Sequence, residues 1–220
     1  MKYTVSDLIA EVRVVMDRNN TSAPLLAEGD IDTLTIEEII EASLPRAARI
    51  IEGNAPHHLI DSGKPFGQSI SWESRRGIGS GSIHLPDDYL RLVVFQMSDW
   101  SRPVTETISE DDDEYAVQRS RYGVKGNPQR PVVAVVQQPI GLVLEFYSCE
   151  AGDKAYVKRA RYLPIPKVRK GKIELCEKLK DAVVYYTGYL AYLSLGDANS
   201  AALLRATANQ LAEIEEQTMQ

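Results

Sequence analysis

The residues whose types best suit chemistry are three histidines and a scatter of acids: His57-His58, His84, Asp87, Asp88 and the run Glu110 to Glu114, EDDDE. Together they suggest a metal site, but their spacing does not supply one. Adjacent histidines cannot share a helix face, and no H-E-x-x-H, paired-cysteine or EF-hand pattern occurs. Loop histidines and a turn at Pro86 to Asp88 are the plainer reading. With His84, Asp87 and Asp88 could form an acid–base pair, which would make a small soluble hydrolase or ligand-binding enzyme; capping the turn is their simpler role. Gly77, Gly79 and Gly81 (RRGIGSGS) resemble a phosphate-cradling loop, yet the order G-x-x-x-x-G-K-[ST] is missing and no helix clearly follows. A hairpin tip or loop is expected there. Neither Cys149 nor Cys176 lies in a catalytic signature, and there is no G-x-S-x-G. The expectation is no catalytic residue, no cofactor and no metal.

Charge says more. The segment 154–172 holds eight bases (Lys154, Lys158, Arg159, Arg161, Lys167, Arg169, Lys170 and Lys172) and no acid, so a chain of net charge −6 carries −14 outside it. Such asymmetry can steer an acidic partner or the acidic face of a neighbouring copy. It can equally be a solvated strand edge guarded by lysines. Tyr185, Tyr189 and Tyr192 form a stripe that is either ordinary core or a subunit contact, where tyrosine is enriched.

These residues need elements to position them. At 220 residues, 44% hydrophobic and 25% charged, the chain is long enough to fold without disulfides or metal. No apolar run approaches membrane-spanning length, and MKYTVSDLIAEV has no apolar signal core, so a protein made in the cytosol is expected. Thr4 with Asp7 reads as a capping box for a helix over about 6–18. Thr35 with Glu38 caps a second, whose stripe is Ile36, Ile39, Ile40, Leu44, Ala47 and Ile51, with Pro45 kinking or breaking it near Glu41 to Leu44. Strands are predicted at about 68–73, 83–85, 89–97, 132–138, 142–147 and 156–163, and the acids at 110–114 open a short helix. Ile173, Cys176, Leu179, Val183, Tyr186, Leu190 and Leu193 recur at helical spacing over six turns. Gly196-Asp197 stops that helix and caps a last one, with Leu204, Ala208 and Leu211 inward. The fold class predicted is α+β: helices over 1–55, an inserted antiparallel β-domain over 66–166, and an αα-hairpin over 172–220 that completes the helical bundle.

The stretch Ser82 to Val104, SIHLPDDYLRLVVFQMSDWSRPV, reads as central. Leu90, Leu92 and Val94 should lie on one face of its second strand and Tyr89, Val93, Phe95 and Met97 on the other, both covered. The phrase LPDDYLRL, entered from a short strand and followed by a Trp and a Pro, resembles the start of the β-domain in tailed-bacteriophage head-to-tail connector proteins of the podovirus kind. Only Leu85 to Leu92 matches residue by residue; the helix, β-domain, helix order matches in outline. The acids at 110–114 and the basic segment have no assigned counterpart.

What the resemblance implies is a structural virion protein of the neck or tail. Copies would close into a ring, by family expectation a dodecamer, that meets the portal protein and other tail or ring proteins. DNA would pass through the lumen without sequence-specific binding, and no membrane is involved. In that family the helical part builds the ring, the β-domain contacts tail proteins, and there are no catalytic residues to carry over.

Overall fold

The Thr35 hydroxyl accepts the Glu38 N–H, and the Glu38 carboxylate takes the Thr35 N–H at 2.7 Å, so both halves of the capping box form. The structure is a computed structural model that describes residues 1–16, 35–67, 69–73, 79–119, 126–149 and 154–215. It is α+β, and its named strands all pair antiparallel. The chain divides into two compact units: one from 1–61 with 165–220, the other from 62–164.

The first unit is mostly helical. Strand β1 (Lys2–Thr4) pairs with β9 (Lys172–Glu174), placing Tyr3 opposite Ile173. Helix α1 (Val5–Val15) follows and buries Val5, Leu8 and Val12. The expected Thr4–Asp7 box is not made, because Thr4 is extended in β1 and its side chain caps nothing. The Gly171 carbonyl instead accepts the Val5 N–H at 2.9 Å. Helix α2 (Ile36–Asn54) continues through Pro45 without a break, so of the kink or break expected there the break does not occur. Its buried stripe runs on either side of the proline and packs against helix α4 (Lys180–Ser194), which offsets the one backbone hydrogen bond that proline cannot make.

Helix α4 (Lys180–Ser194) starts later than periodicity predicts: Ile173 lies in β9, Leu175 and Cys176 are extended, and 177–179 form a 3-10 turn. Its deepest face is also rotated from the expected one. Val184, Thr187, Gly188 and Ala191 are buried, whereas Leu193 is exposed. Gly188 is where three helices meet: a Cβ there would stand 2.8 Å from Leu204 and 3.4 Å from Met16. Gly196 at φ +80° ends α4, and the Asp197 carboxylate caps α5 (Ala198–Leu211) through the Ser200 N–H. Helix α5 packs on α4 through small residues, Ala201, Ala208 and the following Ala212, while Leu211 is exposed.

The second unit holds two sheets. One has the order β2 (Lys64–Pro65), β8 (Val157–Pro164), β5 (Tyr89–Met97). The other runs β3 (Ser71–Trp72), β4 (Gly79–His84), β7 (Gly141–Cys149), β6 (Val133–Gln138). Strand β5 is buried from Leu92 to Met97, but β8 occupies the middle of its sheet. The simple alternation expected for β5 also fails. A register shift between Leu92 and Val94, where β5 carries an extra residue against β8, puts Leu92 and Phe95 into one core, because the bulge moves the following residues to the other face. That core is aromatic: Phe95 meets Trp100 at 5.5 Å and Phe146 at 5.8 Å, and Trp72 stands edge-on to Phe146 at 5.5 Å. Helix α3 (Asp113–Arg119) opens on the acidic run. The β6–β7 hairpin turns through Pro139-Ile140, with Gly141 at φ +122°.

Candidate functional site

The basic segment is divided by the fold. Lys154, Lys158, Arg159 and Arg161 belong to the β unit, whereas Lys167, Arg169, Lys170 and Lys172 belong to the helical unit. All eight side chains are exposed. In the helical unit they cluster at a tight turn, where Arg169 and Lys172 exchange backbone hydrogen bonds across Lys170 at φ +52° and Gly171 at φ +70°. Two successive positive φ angles are the mark of the turn whose twist suits a hairpin, and glycine or asparagine usually fills both places. In the β unit, Lys158, Arg159 and Arg161 lie on β8. The Arg161 guanidinium donates to the carbonyls of Ser62 and Gly63 at 3.2 and 3.3 Å. Beyond β2, whose two residues face Arg161 and Tyr162, the start of β8 has no paired strand on that side among the described residues.

The acids at 110–114 are all exposed. Asp112 accepts the Ser109 N–H, and Ile108 just before them exchanges hydrogen bonds with Val133 and Val135, which ties the run to the β6 edge. Tyr115 secures its other end by donating to Glu145 at 3.3 Å. Glu145 on β7 is a buried carboxylate that sequence reasoning missed. Tyr147 and Gln138 also donate to it, so its charge is solvated by protein instead of water. A signal for it existed: Glu145 and Tyr147 are two apart on one strand and so share a face.

His84 ends β4 opposite Val143, and its side chain is exposed. Asp88 receives the Tyr162 hydroxyl at 2.7 Å, and burial together with that carboxylate pushes the Tyr162 phenol up to about 12. Asp87 is exposed in the turn. Thus the Leu85–Leu92 phrase forms a turn that clips onto β8, with Tyr89 stacked on Tyr162 at 6.1 Å. His57 and His58 are exposed, and His58 faces Glu213 at 3.2 Å. Among the described residues, no group of three His, Cys, Asp or Glu side chains could hold a metal ion, and no helix is long and apolar enough to cross a membrane. Gly79 and Gly81 lie inside β4, not in a loop; Gly77 falls outside the described residues.

Burial raises both thiols, Cys149 and Cys176, to about 12, with Asp99 adding to the first and Glu52 to the second. Neither supplies a thiolate near neutral pH. Glu52, beside Cys176, is the second missed group. It is 1% exposed, and its carboxylate accepts the Cys176 N–H at 2.6 Å. Burial raises its pKa to about 7, the negative charge of Asp61 adds to this, and the Cys176 N–H opposes it. Its signal was its phase: Glu52 falls four residues after Ala48 and eight after Leu44, on the buried stripe of α2.

The tyrosine stripe divides too. Tyr185 and Tyr189 are half-buried, and Tyr189 meets Tyr186 edge-on at 5.0 Å. Tyr192 is buried and donates its hydroxyl to the Met16 carbonyl at 2.5 Å, so in this unit it is core and the cap of α1. The outer surface of α5 carries Ala202, Leu203 and Ala206, with Leu203 72% exposed, and Arg205 is the one charged residue of that helix.

No protein-family model matches this chain, and no curated protein matches it.

Proposed function

We propose that this chain is a structural subunit of a tailed-phage head-to-tail connector: a ring, of about twelve copies by family expectation, between the portal and the tail, through which DNA passes. The observation that carries the reading is the outer surface of α5. Its exposed Leu203, with Ala202 and Ala206 beside it, leaves apolar area in water that a subunit contact would remove. The chain order supports it as well. Both chain ends build the helical unit, and the middle builds the β unit, the division of labour that the resemblance assigns to ring and tail contacts. The matched phrase Leu85–Leu92 is a folded turn held by Asp88 and Tyr162, which gives those residues a structural role that needs no reaction. A ring also requires two different faces of each subunit to meet.

The test is mass photometry of the purified chain, alone and mixed with a tailed-phage portal protein from the same genome. The expected result is a ring-sized complex on the portal, lost on Leu203→Lys while the fold is kept. A chain that stays monomeric and never binds portal overturns the reading.

A further inference from the structure

We propose that the exposed bases Lys154, Lys158 and Arg159, at and just before the start of β8, are a docking surface for the acids Glu110, Asp111 and Glu114 of a second copy of this chain. The inference rests on the reading that copies associate, and it names the contact. Both patches are exposed, both lie in the same compact unit, and no ion pair joins them or satisfies them elsewhere among the described residues. Each patch is carried by a different sheet. The acids are anchored to the sheet of β6 and β7, through Ile108 on one side and Tyr115 with Glu145 on the other, while the bases belong to the sheet of β2, β8 and β5. Two opposite patches on one body, unpaired with each other among the described residues, are satisfied together when the acid patch of one copy meets the basic patch of the next. That contact joins unlike faces, and repeated it yields a ring or a filament. A polyanion such as DNA would also suit the bases, but the chain's net charge of −6 opposes it and the chain carries its own acidic complement. Guarding of the open β8 edge by lysine would explain Lys158 alone. It gives no reason for an anchored, unpaired acidic run elsewhere in the same unit.

A charge swap tests this. One variant carries Lys154→Glu, Lys158→Glu and Arg159→Glu; the other carries Glu110→Lys, Asp111→Lys and Glu114→Lys. Asp112 and Arg161, which hold backbone, are left intact. Sedimentation at low salt and high chain concentration should show association of the wild type. Each variant alone should associate more than about tenfold more weakly, and their equimolar mixture should recover it, because like charges facing each other repel and the mixture restores opposite ones. Carbodiimide treatment of mixed light and heavy-isotope wild-type chains should link the 110–114 peptide of one copy to Lys154 or Lys158 of another. Absence of mixed-isotope links, or variants that associate like wild type, overturns the proposal. Retention of a DNA duplex by wild type, lost in the first variant with no recovery of association in the mixture, also overturns it and makes nucleic acid the partner. Association that survives both charge variants but is lost on Leu203→Lys removes this contact and leaves the ring reading standing.

Discussion

Replacing Glu52 by glutamine should make the helical unit more stable above neutral pH and leave it nearly unchanged in acid. Glu52 lies buried in the last turn of α2, where it accepts the Cys176 N–H. Burial, with Asp61 adding to it, raises the carboxyl from an ordinary 4.5 to about 7. Between those two values the folded chain holds a proton that the unfolded chain has released, so stability falls as pH rises through the window. Below 4.5 both states are protonated and nothing is lost; above 7 both are ionised and the full loss remains. At 1.36 kcal/mol per unit, the shift corresponds to roughly 3 kcal/mol. Glutamine keeps an oxygen to accept the Cys176 N–H and carries no charge at any pH. Urea denaturation of both proteins at a series of pH values from 4 to 8.5 provides the assay. Glu52→Gln should match the wild type within about 1 kcal/mol at pH 4 and exceed it by about 2–3 kcal/mol at pH 8. The difference between the two proteins at each pH is the quantity to read. A difference that does not change with pH, or a glutamine variant weaker at pH 8, would refute the reasoning.

Three further expectations follow from packing. Gly81→Ala should cost about 1–3 kcal/mol, because the new methyl would lie 2.7 Å from the Phe146 ring and 3.1 Å from the Ser71 carbonyl in a core without slack; thermal unfolding of the variant checks it. Lys170→Asn should stabilise by about 0.5–1 kcal/mol, since asparagine tolerates the left-handed backbone at φ +52° better than lysine; a lowered urea midpoint would contradict this. Tyr192→Phe should cost about 1–2 kcal/mol by leaving the Met16 carbonyl without its donor, and amide exchange in the last turn of α1 should quicken.

Local chemistry was legible in the sequence. The Thr35–Glu38 box, the Pro139-Ile140 turn and the Gly196-Asp197 junction depend on neighbours a few residues away, and each forms where the pattern places it. Ile173 to Leu179 misled for the opposite reason. Their spacing suits a helix, but Ile173 finds its strand partner at Tyr3 and the Cys176 N–H finds its acceptor at Glu52, and no window of local sequence contains either. The face assignment of β5 failed at its bulges, which depend on how β8 lies beside it. The basic segment read as one feature because it is continuous in sequence, yet the boundary between units falls inside it. Glu52 and Glu145 were readable as acids in buried phase, but without their donors they looked like surface residues.

The pairing of β1 with β9 has a consequence for how the molecule is made. During synthesis, Lys2 to Thr4 emerge long before Lys172 to Glu174 and must wait for them, while every strand partner within 62–164 is already in hand. The 62–164 unit can therefore pair its strands before 172–174 are made, whereas the pairing of β1 waits for them. Until then the apolar sides of α1 and α2 lack α4 to pack against.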